Sequence, residues 1–216
     1  MKKILVIAAH FDDELLGIGG TLLKHREEGD EIYICILTKG FPPDWTEEYN
    51  KRQFKEAKEV DKILGTKKRF NCEFPAVRLN TIPTGEFNKK ITQIIKEINP
   101  DIVYTHFEHD INMDHKLAFQ ATLVATRPIN KKIELICFET PSSTEWSTIP
   151  FKPNLYVDIT KHIDKKIKAF LIYESEVQEY PHPRNPEAIK NLAKVRGSEA
   201  LMNYAEALKI IRTYRK

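Results

Sequence analysis

The chain has 216 residues, 41% hydrophobic and 30% charged, which suits a globular domain with a sizeable core and excludes a disordered chain. Its formal net charge is only +3, and its lysines alternate with acids on helix-like segments, which excludes an extended nucleic-acid-binding face. No run of about 18 apolar residues occurs, so no transmembrane helix is expected.

The first element, KILVIAA, is a short continuous apolar run. It ends in HFDDE, without the small-residue cleavage site of a signal peptide, and reads as a strand buried on both faces. Residues 14–28 follow with helical periodicity, carried by Leu15, Leu16, Ile18, Leu22 and Leu23. EIYICILT is a second strand, and residues 45–64 form a charged amphipathic helix closed by Gly65. RFNCEF is a third strand, and residues 86–98 form a helix that stops before Pro100. DIVYTHF is the next strand, followed by a helix over 115–126. ELICFE and NLYVDIT are later strands, and the ranges 160–177 and 185–212 read as helical.

This alternation predicts an α/β fold, a Rossmann-like three-layer sandwich with a mainly parallel central sheet, in a single domain over residues 1–216. The irregular stretches 39–44, 74–85 and 140–153 are long enough to carry function. Cys35, Cys72 and Cys137 are widely spaced in apolar, strand-like runs. That pattern predicts buried thiols rather than disulfides or a zinc cluster, and a cytoplasmic protein.

An open α/β sheet binds ligands beyond the carboxyl ends of its strands. HFDDE places His10, Asp12, Asp13 and Glu14 at one such end. THFEHDINMDHK places His106, His109, Asp110, Asp114 and His115 at another. A dinucleotide site would need a glycine-rich turn after the first strand, but Gly17, Gly19 and Gly20 come too late and the carboxylates would repel phosphate. Histidine beside carboxylates suits a divalent metal, and catalytic zinc commonly takes three protein ligands. Either cluster alone also reads as helix-capping acids with incidental histidines. Two clusters facing one crevice favour the metal.

At this point the residues resemble a known family. AAHFDDE resembles the AHPDDE signature of the LmbE-like/PIG-L superfamily of zinc-dependent N-acetylglucosaminyl deacetylases, and DINMDHKLAFQA resembles its second motif. The C-terminal RGSEALMNYAEAL is similar to a further family pattern. The resemblance implies zinc, or another divalent ion, held by His10, Asp13 and His115, with Asp12 as general base. It implies a small-molecule N-acetylated sugar or glycoconjugate as substrate, and it allows a homo-oligomer. The chemistry fits: a metal activates water and polarises an amide carbonyl, while a carboxylate off the metal moves the proton. Glu14 is expected to start the helix, where an acid suits the dipole.

Three positions depart from the family pattern. Phe11 stands where the signature has proline, and Asn112 stands where many members carry an oxyanion-stabilising histidine. KRQFKEA places Gln53 at the position of a substrate-contacting arginine, with Arg52 one residue away. Arg52 is therefore either a substrate contact or a plain surface residue. In YPHPRNP, His182 is a candidate replacement for the missing histidine and Arg184 a candidate substrate contact, against the reading of a rigid surface turn. ETPSSTEW offers Glu139 and Trp146 for sugar recognition, or a plain turn with a buried tryptophan. Asp110 or Asp114 is expected to orient His115 through its other ring nitrogen, with His106 and His109 nearby. His25 and His162 read as surface helix residues without a role. The alternatives are an amidohydrolase acting on another small amide conjugate and a non-catalytic sugar- or metal-binding module.

Overall fold

The computed structural model describes residues 1–129 and 131–215. The strands are β1 (Lys3–Ala8), β2 (Glu31–Lys39), β3 (Thr66–Pro75), β4 (Ile102–His106), β5 (Glu134–Phe138), β6 (Leu155–Asp158) and β7 (Ala205–Arg212). The α-helices are α1 (Asp13–Glu27), α2 (Glu47–Leu64), α3 (Thr84–Ile98), α4 (Met113–Ala125), α5 (Ile163–Phe170) and α6 (Pro186–Ser198). The strands form one sheet in the order β3-β2-β1-β4-β5-β7-β6. β1 to β5 are parallel, whereas β7 runs antiparallel to both its neighbours.

The sheet is the middle layer of three. Ile4, Val6 and Ala8 of β1 face Leu22, Val60, Ile167 and Ile189 from α1, α2, α5 and α6. Leu5 and Ile7 face the other way, toward Phe87, Ile91 and Ala118 from α3 and α4. Strand side chains alternate between faces, so a strand covered on both sides must be apolar throughout. β1 meets that condition, with Ile4 to Ala8 wholly buried. The strand order reverses between β1 and β4, which opens a crevice at their carboxyl ends.

The C-terminal segment departs from the sequence expectation. Residues 205–212 are a strand, not the end of a helix. The run AEALKI is helix-prone, but β7 is wedged between β5 and β6, with Leu208 opposite both Phe138 and Leu155. Pairing on both edges overrides local propensity. α6 ends at Ser198, and the chain reverses so tightly that a Cβ on Gly197 would lie 2.4 Å from the Met202 carbonyl oxygen. Only glycine fits there. The expected helix over 160–177 likewise shortens to α5 and a 3₁₀ turn at Glu174–Glu176.

α1 is kinked at Ile18 (φ −138°, ψ 22°). Its second half begins on Glu206 of β7, whose carboxylate accepts from the Gly20 and Thr21 backbone N–H groups and pairs with Lys166. His25, expected at the surface, is instead buried. Its Nδ1 lies 2.8 Å from Asp30 Oδ2 and its Nε2 3.0 Å from the Tyr104 hydroxyl, because the last turn of α1 lies over β4. Glu14 is also buried, and it pairs with Arg69 and the Tyr173 hydroxyl, both at 3.1 Å, rather than serving only the helix dipole. The three cysteines are free thiols, with Cys35 and Cys137 buried and Cys72 half-buried. Among the described residues no helix is long and apolar enough to cross a membrane.

Candidate active site

The turn after β1 sends two adjacent carboxylates in different directions. Asp12 has φ +88°, a left-handed conformation that costs a residue with a Cβ and persists only when its surroundings enforce it. The His10 backbone N–H donates to Asp13 Oδ2 at 2.7 Å and closes the turn. Phe11, in place of proline, is buried edge-on against Phe54. The Ala9 N–H donates to His106 Nε2 at 2.9 Å, which ties the end of β1 to the end of β4.

His10, Asp13 and His115 converge. His10 Nδ1 lies 3.2 Å from His115 Nε2 and 3.3 Å from Asp13 Oδ2, and His115 Nε2 lies 3.5 Å from Asp13 Oδ1. One donor atom from each fits within 4.8 Å. Each imidazole also has a carboxylate behind it. Asp114 Oδ2 is 3.1 Å from His10 Nε2 and is fixed by the Val77 N–H. Asp110 Oδ2 is 3.1 Å from His115 Nδ1, close but off the line of a hydrogen bond. Asp110 is itself held by the Ser143 and Thr144 hydroxyls and the Asn112 N–H. Carboxylates that fix imidazoles from behind are typical of metal-ligating histidines. Asp13 Oδ1 is buried with no hydrogen-bond partner, an orphan that a divalent cation would satisfy. The donor set therefore fits a divalent metal of the zinc type.

His106, Asp110 and His115 are also close enough to share an ion. His106 is already committed, however. Its Nε2 accepts from Ala9, its Nδ1 faces the Thr140 hydroxyl at 3.2 Å, and its ring stacks on His115 at 3.8 Å. Burial and the neighbouring His115 charge push it down to about 4, so it stays neutral. Burial also opposes charge on His10, but Asp114 and Asp13 outweigh it and push the imidazolium up to about 10. For Asp13 burial favours the neutral acid, yet the His115 ring and the hydrogen bond from His10 hold the carboxyl well below its usual range.

Asp12 faces away from this cluster into a cavity of about 220 Å³, bordered by His10, Arg184, Glu176, Asn112 and Gln53. Its Oδ2 is buried without a hydrogen bond, 3.2 Å from Arg184 Nη1. Burial raises the Asp12 carboxyl well above its usual range, Arg184 opposes this, and Asp13 and Glu176 add to it. Arg184 is fixed by Glu176 Oε2 at 2.7 Å and by Ser142 Oγ at 2.8 Å.

The other sequence candidates separate into two groups. Asn112 lines the cavity, while its Oδ1 caps α4 by accepting from the Asp114 N–H. Arg52 does not line it; it reaches Glu56 at 3.7 Å and lies over the Tyr49 ring. Gln53, one residue on, lines it instead. His182 is not brought to the cluster, and its ring lies edge-on to Trp146, which is 54% exposed. Glu139 is held by Arg196 at 2.6 and 2.8 Å beside a separate cavity. His109 is exposed near Glu108, and His162 faces Glu27. Sequence reasoning missed Glu176, Tyr49 and Trp45. Tyr49 and Gln53 had a signal, four residues apart on one face of α2, whereas Glu176 had none.

The family described as PIG-L, GlcNAc-PI de-N-acetylase, matches residues 5–126, a stretch that contains both polar strand ends. The chain belongs to the PIG-L family. As a member of this deacetylase family it is a hydrolase of carbon–nitrogen bonds. It is 27% identical to diacetylchitobiose deacetylase of Thermococcus kodakarensis, over 98% of this chain and 84% of that protein. The solved structure of a conserved protein from Thermus thermophilus superposes with a TM-score of 0.82 at 28% identity, covering 100% of this chain and 97% of that one. The 4-oxalmesaconate hydratase of Pseudomonas putida is also similar, 26% identical over 78% of this chain and 71% of that protein.

Proposed function

We propose that this PIG-L family member is a zinc-dependent N-deacetylase that removes the acetyl group from an N-acetylglucosamine-type sugar or glycoconjugate. The observation that carries this reading is a divided pair of aspartates. Asp13 faces His10 and His115, while Asp12 is buried in the adjoining cavity without a ligating role. His10, Asp13 and His115 would hold the metal, which when bound lowers the pKa of water and polarises an amide carbonyl.

Asp12 takes a proton from the attacking water and delivers it to the departing amine nitrogen. Burial raises its carboxyl pKa, which favours holding the proton until it passes to the amine nitrogen. The Arg184 guanidinium and the Asn112 amide border the same cavity, and they assist the oxyanion that develops on the carbonyl oxygen. Arg184 thus takes the role that the sequence offered to His182. Asp110 and Asp114 orient the two imidazoles. Residues 1–216 act as one catalytic domain, and the free thiols agree with a cytoplasmic site of action.

The similarity to a hydratase supplies one competing reading, addition of water to a carbon–carbon double bond. The test is acetate release from a panel of N-acetylated sugars, run beside loss of ultraviolet absorbance from unsaturated dicarboxylic acids. Acetate release from sugars with no hydration supports the deacetylase. Hydration without acetate release replaces it.

A further inference from the structure

Cys35 of β2 and Cys72 of β3 bring two thiols together, with their Sγ atoms 3.8 Å apart. Neither lines the cavity beside Asp12. β2 and β3 are parallel neighbours, and Cys35 pairs with Phe70. Side chains alternate along a strand, so Cys72, two residues beyond Phe70, shares a face with Cys35. Both pack into the apolar layer under α3. Just past Cys35 the register is irregular: Ile36 pairs with Asn71 but Thr38 with Phe74, so β3 carries an extra residue there. That bulge holds Glu73 at φ +55°. Bulges bend a strand and re-aim its side chains.

The two thiols are unequal. Cys35 is wholly buried in a strand paired on both edges, whereas Cys72 is half-buried on the strand at the edge of the sheet. The hydrogen bond from Cys35 lowers the Cys72 pKa, burial opposes this, and the Lys90 charge adds to the lowering. Donating that bond, together with burial, pushes the Cys35 thiol well above its usual range. A reachable thiolate beside a second, resolving thiol is the arrangement of a redox-sensing cysteine.

Both strands run on into the catalytic site. Thr38 and Lys39, at the end of β2, line the cavity beside Asp12. Beyond β3 the Ala76 N–H donates to the Lys39 carbonyl at 3.0 Å. The next residue, Val77, donates its N–H to Asp114 Oδ2 at 2.6 Å, and Asp114 is the carboxylate behind His10. A disulfide bond is much shorter than the contact between these thiols, so oxidation draws them together. β2 is held from both sides and β3 from one, so β3 moves, and the Val77 hold on Asp114 moves with it.

We propose that Cys35 and Cys72 are a peroxide-responsive thiol pair, whose reversible disulfide loosens the Asp114 support of His10 and weakens the metal centre. The Cys72 thiolate attacks one oxygen of hydrogen peroxide. The O–O bond breaks, Cys72 becomes a sulfenic acid, and the hydroxide released takes up the proton that the Cys72 thiol gave up. Cys35 sulfur then attacks the Cys72 sulfur, the S–O bond breaks, and the departing hydroxide leaves as water with the Cys35 proton. Two electrons pass from the sulfurs to peroxide, and a dithiol reductant returns them.

The test treats purified, reduced protein with hydrogen peroxide and removes the excess. Thiols are counted after unfolding in denaturant, beside intact mass and zinc affinity by competition with a chelating dye. Wild type should fall from three thiols to one and lose the mass of two hydrogens. It should then bind zinc at least about threefold more weakly, and a dithiol reductant should restore all three readouts. Cys72→Ser, checked for a native melting transition, should keep both remaining thiols and the same zinc affinity with or without peroxide. Cys35→Ala should gain oxygen at Cys72 instead of losing hydrogens. Three surviving thiols in wild type, or a gain of oxygen there, would overturn the pair. A disulfide that leaves zinc affinity unchanged would overturn the switch. A reduced protein that binds no zinc would overturn the metal centre itself and the switch with it.

Discussion

Glu206→Gln should be among the most costly single substitutions in the chain, although it lies far along the sequence from the site. The Glu206 carboxylate accepts from the Gly20 N–H at 2.8 Å, the Thr21 N–H at 2.6 Å and the Thr21 hydroxyl at 2.6 Å. It also pairs with Lys166 Nζ at 2.7 Å, and both side chains of that pair are 4% exposed. In the glutamine variant the amide oxygen can replace only one of the two accepting oxygens, so either the Gly20 or the Thr21 N–H faces the amide NH2 and loses its acceptor. The negative charge is lost as well, leaving Lys166 with the Leu16 carbonyl at 2.8 Å as its one uncompromised acceptor. Stranding one member of a buried pair costs about 3–5 kcal/mol. For a domain of this size each kcal/mol moves Tm by roughly 2–4 °C, so the expected drop is about 6–20 °C. Thermal unfolding followed by circular dichroism reads this directly. Replacing both members, as Lys166→Met with Glu206→Gln, should recover at least about 1 kcal/mol relative to the sum of the single changes. A Tm within about 2 °C of wild type for Glu206→Gln, or simple additivity in the double variant, would refute the claim that this pair anchors α1 to β7.

Three further outcomes follow from the same structure. Burial lowers the His25 pKa against the pull of Asp30, so the native state prefers the neutral ring. The stability this gives is complete above about pH 6.5 and is lost as pH falls below it, because the unfolded chain binds the proton first; urea unfolding between pH 7 and 5 should show a slope that His25→Gln flattens, and an unchanged slope would contradict it. Asp110→Asn should weaken metal binding about 10- to 100-fold by releasing His115, measurable by competition with a chelating dye. Arg184→Met should lower kcat by about 100- to 1,000-fold, as expected for a lost oxyanion-stabilising donor, and lower the melting temperature as well, because it strands the Asp12 and Glu176 carboxylates; a change confined to KM in the folded variant would make Arg184 a binding residue only.

The two polar strand ends were legible in the sequence because each is local. A run of apolar residues sets the strand, and the cluster that follows has nowhere to go but the carboxyl edge of the sheet. The convergence of His10 and Asp13 with His115 then follows from β1 and β4 being neighbours. Other features depend on contacts between distant segments. β7 carries helix-prone residues, and only its two pairing partners make it a strand. His182 and Arg184 are two residues apart in one loop, and the choice between them rests on Glu176 and Ser142, which hold Arg184 at Asp12. The choice of Gln53 over Arg52 was within reach of the sequence. Gln53 belongs to the buried stripe of α2 with Asn50, Ala57, Val60 and Leu64, whereas Arg52 is a third of a turn away. Glu14 and His25 show the opposite limit, since burial of a charged or polar side chain depends on partners that no local pattern reveals.

The division of labour between Asp12 and Asp13 is the centre of the account, and metal content measured beside turnover tests it most directly. Asp12→Asn and Asp13→Asn would be purified in parallel with wild type, assayed for bound zinc by elemental analysis, and compared for acetate release on the best substrate. The account predicts that Asp12→Asn keeps its zinc and loses turnover about 10²- to 10⁴-fold, while Asp13→Asn loses the zinc itself. An Asp12→Asn protein that sheds its zinc, or one that keeps near-wild-type turnover, would contradict it.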